Sequence, residues 1–191
     1  MSHAHHEPHV DHGGGNKKIA ILISVLAALL AVVETAGKNA QTQFLSHQVE
    51  ASNLWAFYQA KTIRRTVLMS AVDRLQLDRS LMSEAQSETG MAIDRRLAAW
   101  RADVDRWESE PDTGEGRREL TARAQKQEKL RDDAGRRYHT FEYGSAALQL
   151  AIVLASASIV TGIGLLALGA MGLGGLGGAF GLWAWLAPAL V

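Results

Sequence analysis

The chain has 191 residues with 20 basic and 20 acidic side chains, no cysteine and three prolines. Zero net charge excludes the one-signed field that draws in nucleic acid, and the lack of cysteine excludes disulfides, thiol catalysis and thiolate metal sites. The average hides a partition: residues 144–191 contain no Asp, Glu, Lys, Arg or His, whereas 18 of the 20 Lys and Arg lie between Lys38 and Arg137.

Residues 1–15 form a polar tail with five of the seven histidines, His3, His5, His6, His9 and His12, ahead of Gly13, Gly14 and Gly15. Such a composition predicts disorder. Lys17 and Lys18 then precede the uncharged run Ile19 to Val33, after which come Glu34, Gly37 and Lys38. The run has the layout of a signal peptide, but a helical pattern follows it directly and Glu34-Thr35-Ala36-Gly37 is a weak cleavage site. It is therefore read as a retained transmembrane helix over 16–37, because a hydrocarbon core of about 30 Å takes roughly 20 helical residues.

The segment 38–143 is charged and helical, with helices expected over about 38–85, 90–109 and 117–143. Ile93, Leu97, Trp100, Val104 and Trp107 are spaced 4, 3, 4, 3, the seam of a coiled coil. Leu68, Val72, Leu75 and Met82 offer a similar seam before it, and Leu120, Ala124, Leu130, Ala134 and Phe141 a looser one after it. Pro111 stops the middle helix, and Asp112 with Glu115 three residues on reads as a capping box opening the next. A first helix of this length rises about 70 Å and two returning helices descend about as far, which predicts an antiparallel stalk.

The last 48 residues would make a helix of about 72 Å, more than twice what a bilayer accepts, so they are expected to fold back. A turn at Thr161-Gly162-Ile163-Gly164 gives transmembrane helices over 144–161 and 165–187, with Trp183 and Trp185 near an interface; a turn within 172–178 is the competing choice. Gly172, Gly175, Gly178 and Gly181 recur every third residue and Ala170, Gly174 and Gly178 every fourth. Gly174, Gly178 and Gly181 are thus the expected helix-packing positions, since small residues let helices approach closely in lipid.

Three strings occur together in order: Ala51-Ser52-Asn53-Leu54-Trp55-Ala56-Phe57-Tyr58-Gln59-Ala60-Lys61-Thr62-Ile63-Arg64, then Glu108-Ser109-Glu110-Pro111 to Thr113-Gly114-Glu115-Gly116-Arg117, then Arg137-Tyr138-His139 to Ile152-Val153-Leu154-Ala155-Ser156. Across about residues 16–165 the chain resembles a bacterial membrane-protein family known only as domain of unknown function 4337. The resemblance implies a bacterial inner-membrane protein of this helical layout and brings no activity or catalytic residue with it.

Few residues invite chemistry. The five tail histidines are spaced closely enough to wrap a Zn, Ni or Cu ion, yet a floppy tail lacks the outer contacts that fix ligands, and a polar tail or an appended segment is the plainer reading. Glu34 is the one ionisable group within an apolar segment, which makes it a candidate proton or ion site; placement at a helix end within reach of headgroups is the plainer reading. Trp55, Phe57, Tyr58, Lys61 and Arg64 crowd three turns of one helix and cover more than one of its faces. Packing inside the hairpin is the plainer reading; a subunit interface, where aromatics and Arg are enriched, is the favoured one. No nucleophile-base pair, zinc-protease, phosphate-loop or dinucleotide motif is present, so neither an enzyme nor a cofactor is expected.

The sequence therefore predicts an all-α integral membrane protein with three transmembrane helices and a long antiparallel, coiled-coil-like stalk. Its expected partners are the lipid bilayer, further copies of itself and other membrane proteins, with no nucleic acid. The expected role is a scaffold or interaction protein; the alternative is a small transport or channel component handling protons or metal ions through Glu34 or the histidine tail. Lys17 and Lys18 argue for an inside N-terminus, whereas Lys38, Lys126, Lys129, Arg131, Arg136 and Arg137 favour a cytoplasmic stalk, and the count leans inward.

Overall fold

A computed structural model describes residues 13–83 and 87–186. Four helices account for nearly all of them: α1 Gly13–Ser80, α2 Ser87–Glu108, α3 Arg117–Thr161 and α4 Gly164–Leu186, and no strand occurs among the described residues. α1 runs for 68 residues without interruption, consistent with a sequence that has no proline between positions 8 and 111. Two boundaries differ from expectation. Gly13, Gly14 and Gly15 belong to α1, where the polar tail was expected to extend through 15, and α1 closes at Ser80 instead of near 85. There the Ser80 hydroxyl donates to the Leu77 carbonyl at 2.7 Å, and the Leu81 and Met82 amides donate three residues back at 3.3 Å, a tightened last turn.

The helices divide between two compact units. The first takes α1 up to Phe44, α3 from Asp132 onward, and α4. α1, α3 and α4 are also the three helices long and apolar enough to cross a membrane. The α3–α4 turn falls at Gly162, whose φ of +72° is the left-handed conformation that ends helices and that glycine adopts without penalty. Ser158, buried one turn earlier, donates its hydroxyl to the Ile163 carbonyl at 3.0 Å and so satisfies an acceptor left over by the turn.

Packing in this unit is built from knobs on glycine notches. Along α4 the buried positions are Ala170, Gly174, Gly177, Gly181 and Ala184, spaced 4, 3, 4, 3. Leu26 of α1 seats on Gly174, Leu148 of α3 on Gly177, and Val33 of α1 on Gly181. A Cβ on Gly177 would stand 2.7 Å from Leu148 Cγ and 2.8 Å from the Gly144 carbonyl oxygen, so α3 and α4 meet backbone to backbone. Gly178, expected in this set, faces open space instead: the heptad-like spacing that keeps one face on its neighbours selects Gly177 and turns Gly178 away. α1 and α3 use the same device, with Phe141 against Gly37 and Phe44 against Gly135.

The second unit spans Leu45–Arg131. In it α1 runs antiparallel to α2 and the start of α3, with contacts from Arg79–Asp94 at one end to Gln48–Arg131 at the other. Val72, Leu97 and Val104 are buried between α1 and α2, while Leu54, Leu120 and Ala124 form the core between α1 and α3. Leu130, expected on the α3 seam, is exposed. The two halves of α4's face provide a direct check on the first unit. Gly177→Leu should destabilise the protein in detergent by about 1–3 kcal/mol through overpacking, read as a lowered thermal midpoint, whereas Gly178→Leu should leave the midpoint near that of the parent. Equal shifts at the two positions would contradict the knob-and-notch assignment.

Candidate functional site

The densest polar cluster lies where the α2–α3 turn meets the middle of α1. Pro111 ends α2, and the turn is closed by Gly114, whose φ of +68° requires glycine and whose amide donates to the Glu110 carbonyl at 2.9 Å. α3 opens with Gly116 at its N-cap, packed so closely on the Ser109 and Glu110 backbone that no side chain fits there. The expected capping box of Asp112 and Glu115 does not form; Glu119, three residues beyond the true cap, plays the reaching-back role. Its carboxylate accepts from the Ser109 hydroxyl at 2.7 Å and the Glu110 amide at 3.1 Å. Those two hydrogen bonds, Ser109 first, hold the Glu119 carboxyl below its ordinary pKa.

Arg117, the first residue of α3, is the hub. Its guanidinium donates to Glu108 at 2.7 Å, to the Tyr58 hydroxyl at 2.8 Å and to Thr62 at 3.0 Å, and lies 4.9 Å from the centre of the Tyr58 ring. Burial works against its charge, but the Tyr58 hydrogen bond and the Glu108 carboxylate outweigh it and leave its pKa raised. Glu108 also pairs with Arg65 at 3.4 Å and Arg118 at 3.6 Å, so one carboxylate bridges three guanidiniums. Lys61 is buried beside it, paired with Glu110 at 3.6 Å and Glu115 at 3.9 Å and lying 5.4 Å from the centre of the Phe57 ring. Trp55 stands edge-on to Tyr58 and donates to Glu128 of α3 at 2.9 Å.

The residues expected at a subunit interface are therefore split. Trp55, Tyr58 and Lys61 turn inward to the chain's own α3 and its turn, Phe57 stays at the surface over the Lys61 amine, and Arg64 is exposed and outside the network. Arg65 and Arg117 take the place given to Arg64, because the inward face of α1 passes through residues 54, 58, 61 and 65 and misses 64. Every carboxylate in the network is met by a cation or a hydrogen-bond donor, while the buried Arg65 Nε, 3.4 Å from Glu108, has no hydrogen bond; the cluster's chemistry is that of a fastening.

Glu34 sits in a different setting, within the first unit. It accepts from the Gln149 side-chain amide at 3.1 Å, and both line a groove of about 600 Å³ with Lys38, Gln41, Tyr138 and Glu142. Outside the apolar stretch, Glu142 accepts from Tyr138 at 2.7 Å and pairs with His139 at 2.9 Å, which lowers the Glu142 pKa and raises that of Tyr138. No group of three or more His, Asp or Glu side chains with metal-binding geometry occurs among the described residues. His3, His5, His6, His9 and His12 lie outside the described residues.

The α1 string from Ala51 and the α2–α3 string from Glu108 thus form the two sides of one network. Residues 15–187 match the model of the family described as Domain of unknown function (DUF4337). The chain belongs to that family. No curated protein and no solved structure matches it. For this member of the family the polar network makes a sharp forecast: Arg117→Met leaves Glu108 and Tyr58 without their main partner and should cost about 2–3 kcal/mol, whereas Arg64→Met should stay within about 0.5 kcal/mol. Denaturant unfolding followed by tryptophan fluorescence distinguishes them, and indistinguishable midpoints would contradict the network's role.

Proposed function

We propose that the protein is a self-associating, membrane-anchored helical scaffold. Three apolar helices hold one end in the bilayer, and the charged second unit presents an interaction surface to further copies and to other membrane proteins. The observation that carries this reading is a stripe along α1. Leu45, Val49, Ile63, Val67 and Leu77 are all exposed, at separations that fit a heptad, with Ser52, Ala56, Ala60 and Ser70 continuing the same line. The stripe runs on the side of α1 opposite Leu54, Lys61 and Val72, which face α2 and α3. One antiparallel partner therefore covers only one side of this helix, and long exposed apolar stripes in solvated helices mark association surfaces. The interface expected from the Trp55 cluster is thus moved half a turn round the helix, to side chains with no role in the polar network.

A bacterial inner membrane with the second unit on the cytoplasmic side is the setting that the family resemblance and the flanking basic residues favour. The transport alternative has less support. Among the described residues Ser158 is the one buried polar side chain in the apolar stretches, and its hydroxyl is used by the turn beside it. Glu34 is held by Gln149 at the end of the apolar run, where a headgroup or water can reach it.

The parent has no cysteine, so single replacements report on the stripe without background. Val67→Cys should give disulfide-linked dimers on mild oxidation in native membranes, and Arg64→Cys, about a quarter-turn from the centre line of the stripe, should give few. Dimers from Arg64→Cys and none from Val67→Cys would place the interface elsewhere, and absence of crosslinks from both, with a monomer mass in mild detergent, would refute self-association.

A further inference from the structure

Two cavities in the first unit join into one cleft. The apolar part, about 370 Å³, is bounded by Leu29, Val32, Val33, Gly178 and Leu182. The polar part, about 250 Å³, contains Asn39, Gln43 and Arg137. Ala36, Phe141 and Trp185 line both, so an apolar trough opens directly into a polar mouth. From sequence position, the mouth falls at the expected membrane surface: Asn39 follows the first apolar run, Arg137 precedes the charge-free run that begins at Gly144, and tryptophan is favoured at that depth.

Arg137 is the informative residue. Its Nε is buried and has no hydrogen-bond partner among the described residues. The neighbouring Arg136, by contrast, pairs with Asp133. An unanswered guanidinium donor in a buried position costs free energy unless a further acceptor meets it. The mouth contains one cation, two amides and no carboxylate. It can thus hold a phosphate by charge and hydrogen bonds and has no carboxylate to pair with a headgroup ammonium. Basic pockets between membrane helices recognise lipid headgroups in this way.

We propose that this cleft binds an anionic phospholipid, its phosphate on Arg137 with Asn39 and Gln43 alongside and an acyl chain in the trough beside Gly178. The proposal rests on the membrane-spanning reading of α1, α3 and α4. It also gives a reason for the outward turn of Gly178: a Cβ there meets no protein atom within 4 Å, and a side chain extending from it would enter the trough.

Native mass spectrometry of the full chain, purified in mild detergent with added phosphatidylglycerol or phosphatidylcholine, tests it. The parent should retain phosphatidylglycerol in preference to phosphatidylcholine. Arg137→Gln should lower the bound fraction about tenfold, Gly178→Leu should lower it as well, and Arg136→Gln should leave it unchanged. Retention equal for both lipids, or unaltered in both Arg137→Gln and Gly178→Leu, overturns the proposal. So does a Gly178→Leu protein that keeps its lipid but changes its oligomeric mass, which would give the trough to a second copy. An alkaline wash of the membranes separates the underlying reading: a parent chain released by the wash refutes membrane insertion and the lipid site together, whereas a retained chain that binds no lipid refutes the site alone.

Discussion

The constraint on which the remainder depends is that the most apolar parts of this chain face outward. In the most hydrophobic window of α1 only 11% of the residues are buried inside the protein, and in α3 and α4 the shares are 28% and 22%. Val32, Val160, Leu165 and Trp185 all present most of their surface to the surroundings. In water, leaving such side chains exposed would forfeit about 1.5–3 kcal/mol each, and a soluble bundle would have been patterned to turn them in. What these helices bury against one another is a short row of knobs, Leu26, Val33, Phe141 and Leu148, set among alanines and glycines. That inversion is the packing logic of helices in lipid, where apolar side chains gain little by leaving the solvent and close backbone approach supplies the attraction.

The second unit buries leucine and valine along its seams and keeps most of its charge outside, Lys61 excepted, but it needs more than those seams to hold its order. Heptad contacts between α1 and α2 resemble themselves after a shift of seven residues, so apolar spacing alone leaves the pairing open to slippage. The network around Arg117 has no such repeat. Its donors have three specific acceptors, two of them on α1, and Lys61 meets two glutamates from the turn. A slip would strand several partly buried charges at once, and breaking such pairs is costly even where forming them gains little. We interpret the network as a register lock that leaves the far side of α1 free for association.

Much of the fold was legible because its signals are local. A charge-free run too long for one span required a turn, and Gly162 supplied the left-handed residue to make it; Pro111 marked the end of α2. The Asp112–Glu115 capping box was misplaced because the turn is longer than the motif allows, and the cap at Gly116 is recognised only once the backbone of Ser109 and Glu110 is seen to leave no room for a side chain. Gly178 belongs to both a three-residue and a four-residue repeat, whereas a face that stays on its neighbours alternates the two spacings and so passes through Gly177. The roles of Trp55 and Tyr58 depend on partners 73 and 59 positions away, and nothing within α1 says which of its aromatic sides α3 will cover. Arg137 was counted as one of several flanking cations; its unmet Nε is visible only in the packed structure.

Solvent accessibility of single cysteines in native membranes tests the central claim most directly. With a small water-soluble thiol reagent, Val32→Cys and Leu176→Cys, both exposed in the protein but expected to face lipid, should resist labelling, whereas Met91→Cys, apolar and exposed in the charged unit and outside the α1 stripe, should react in opened membranes. Labelling of positions 32 and 176 as fast as position 91 would mean that water surrounds all three, and the account of a bilayer-held first unit would fail.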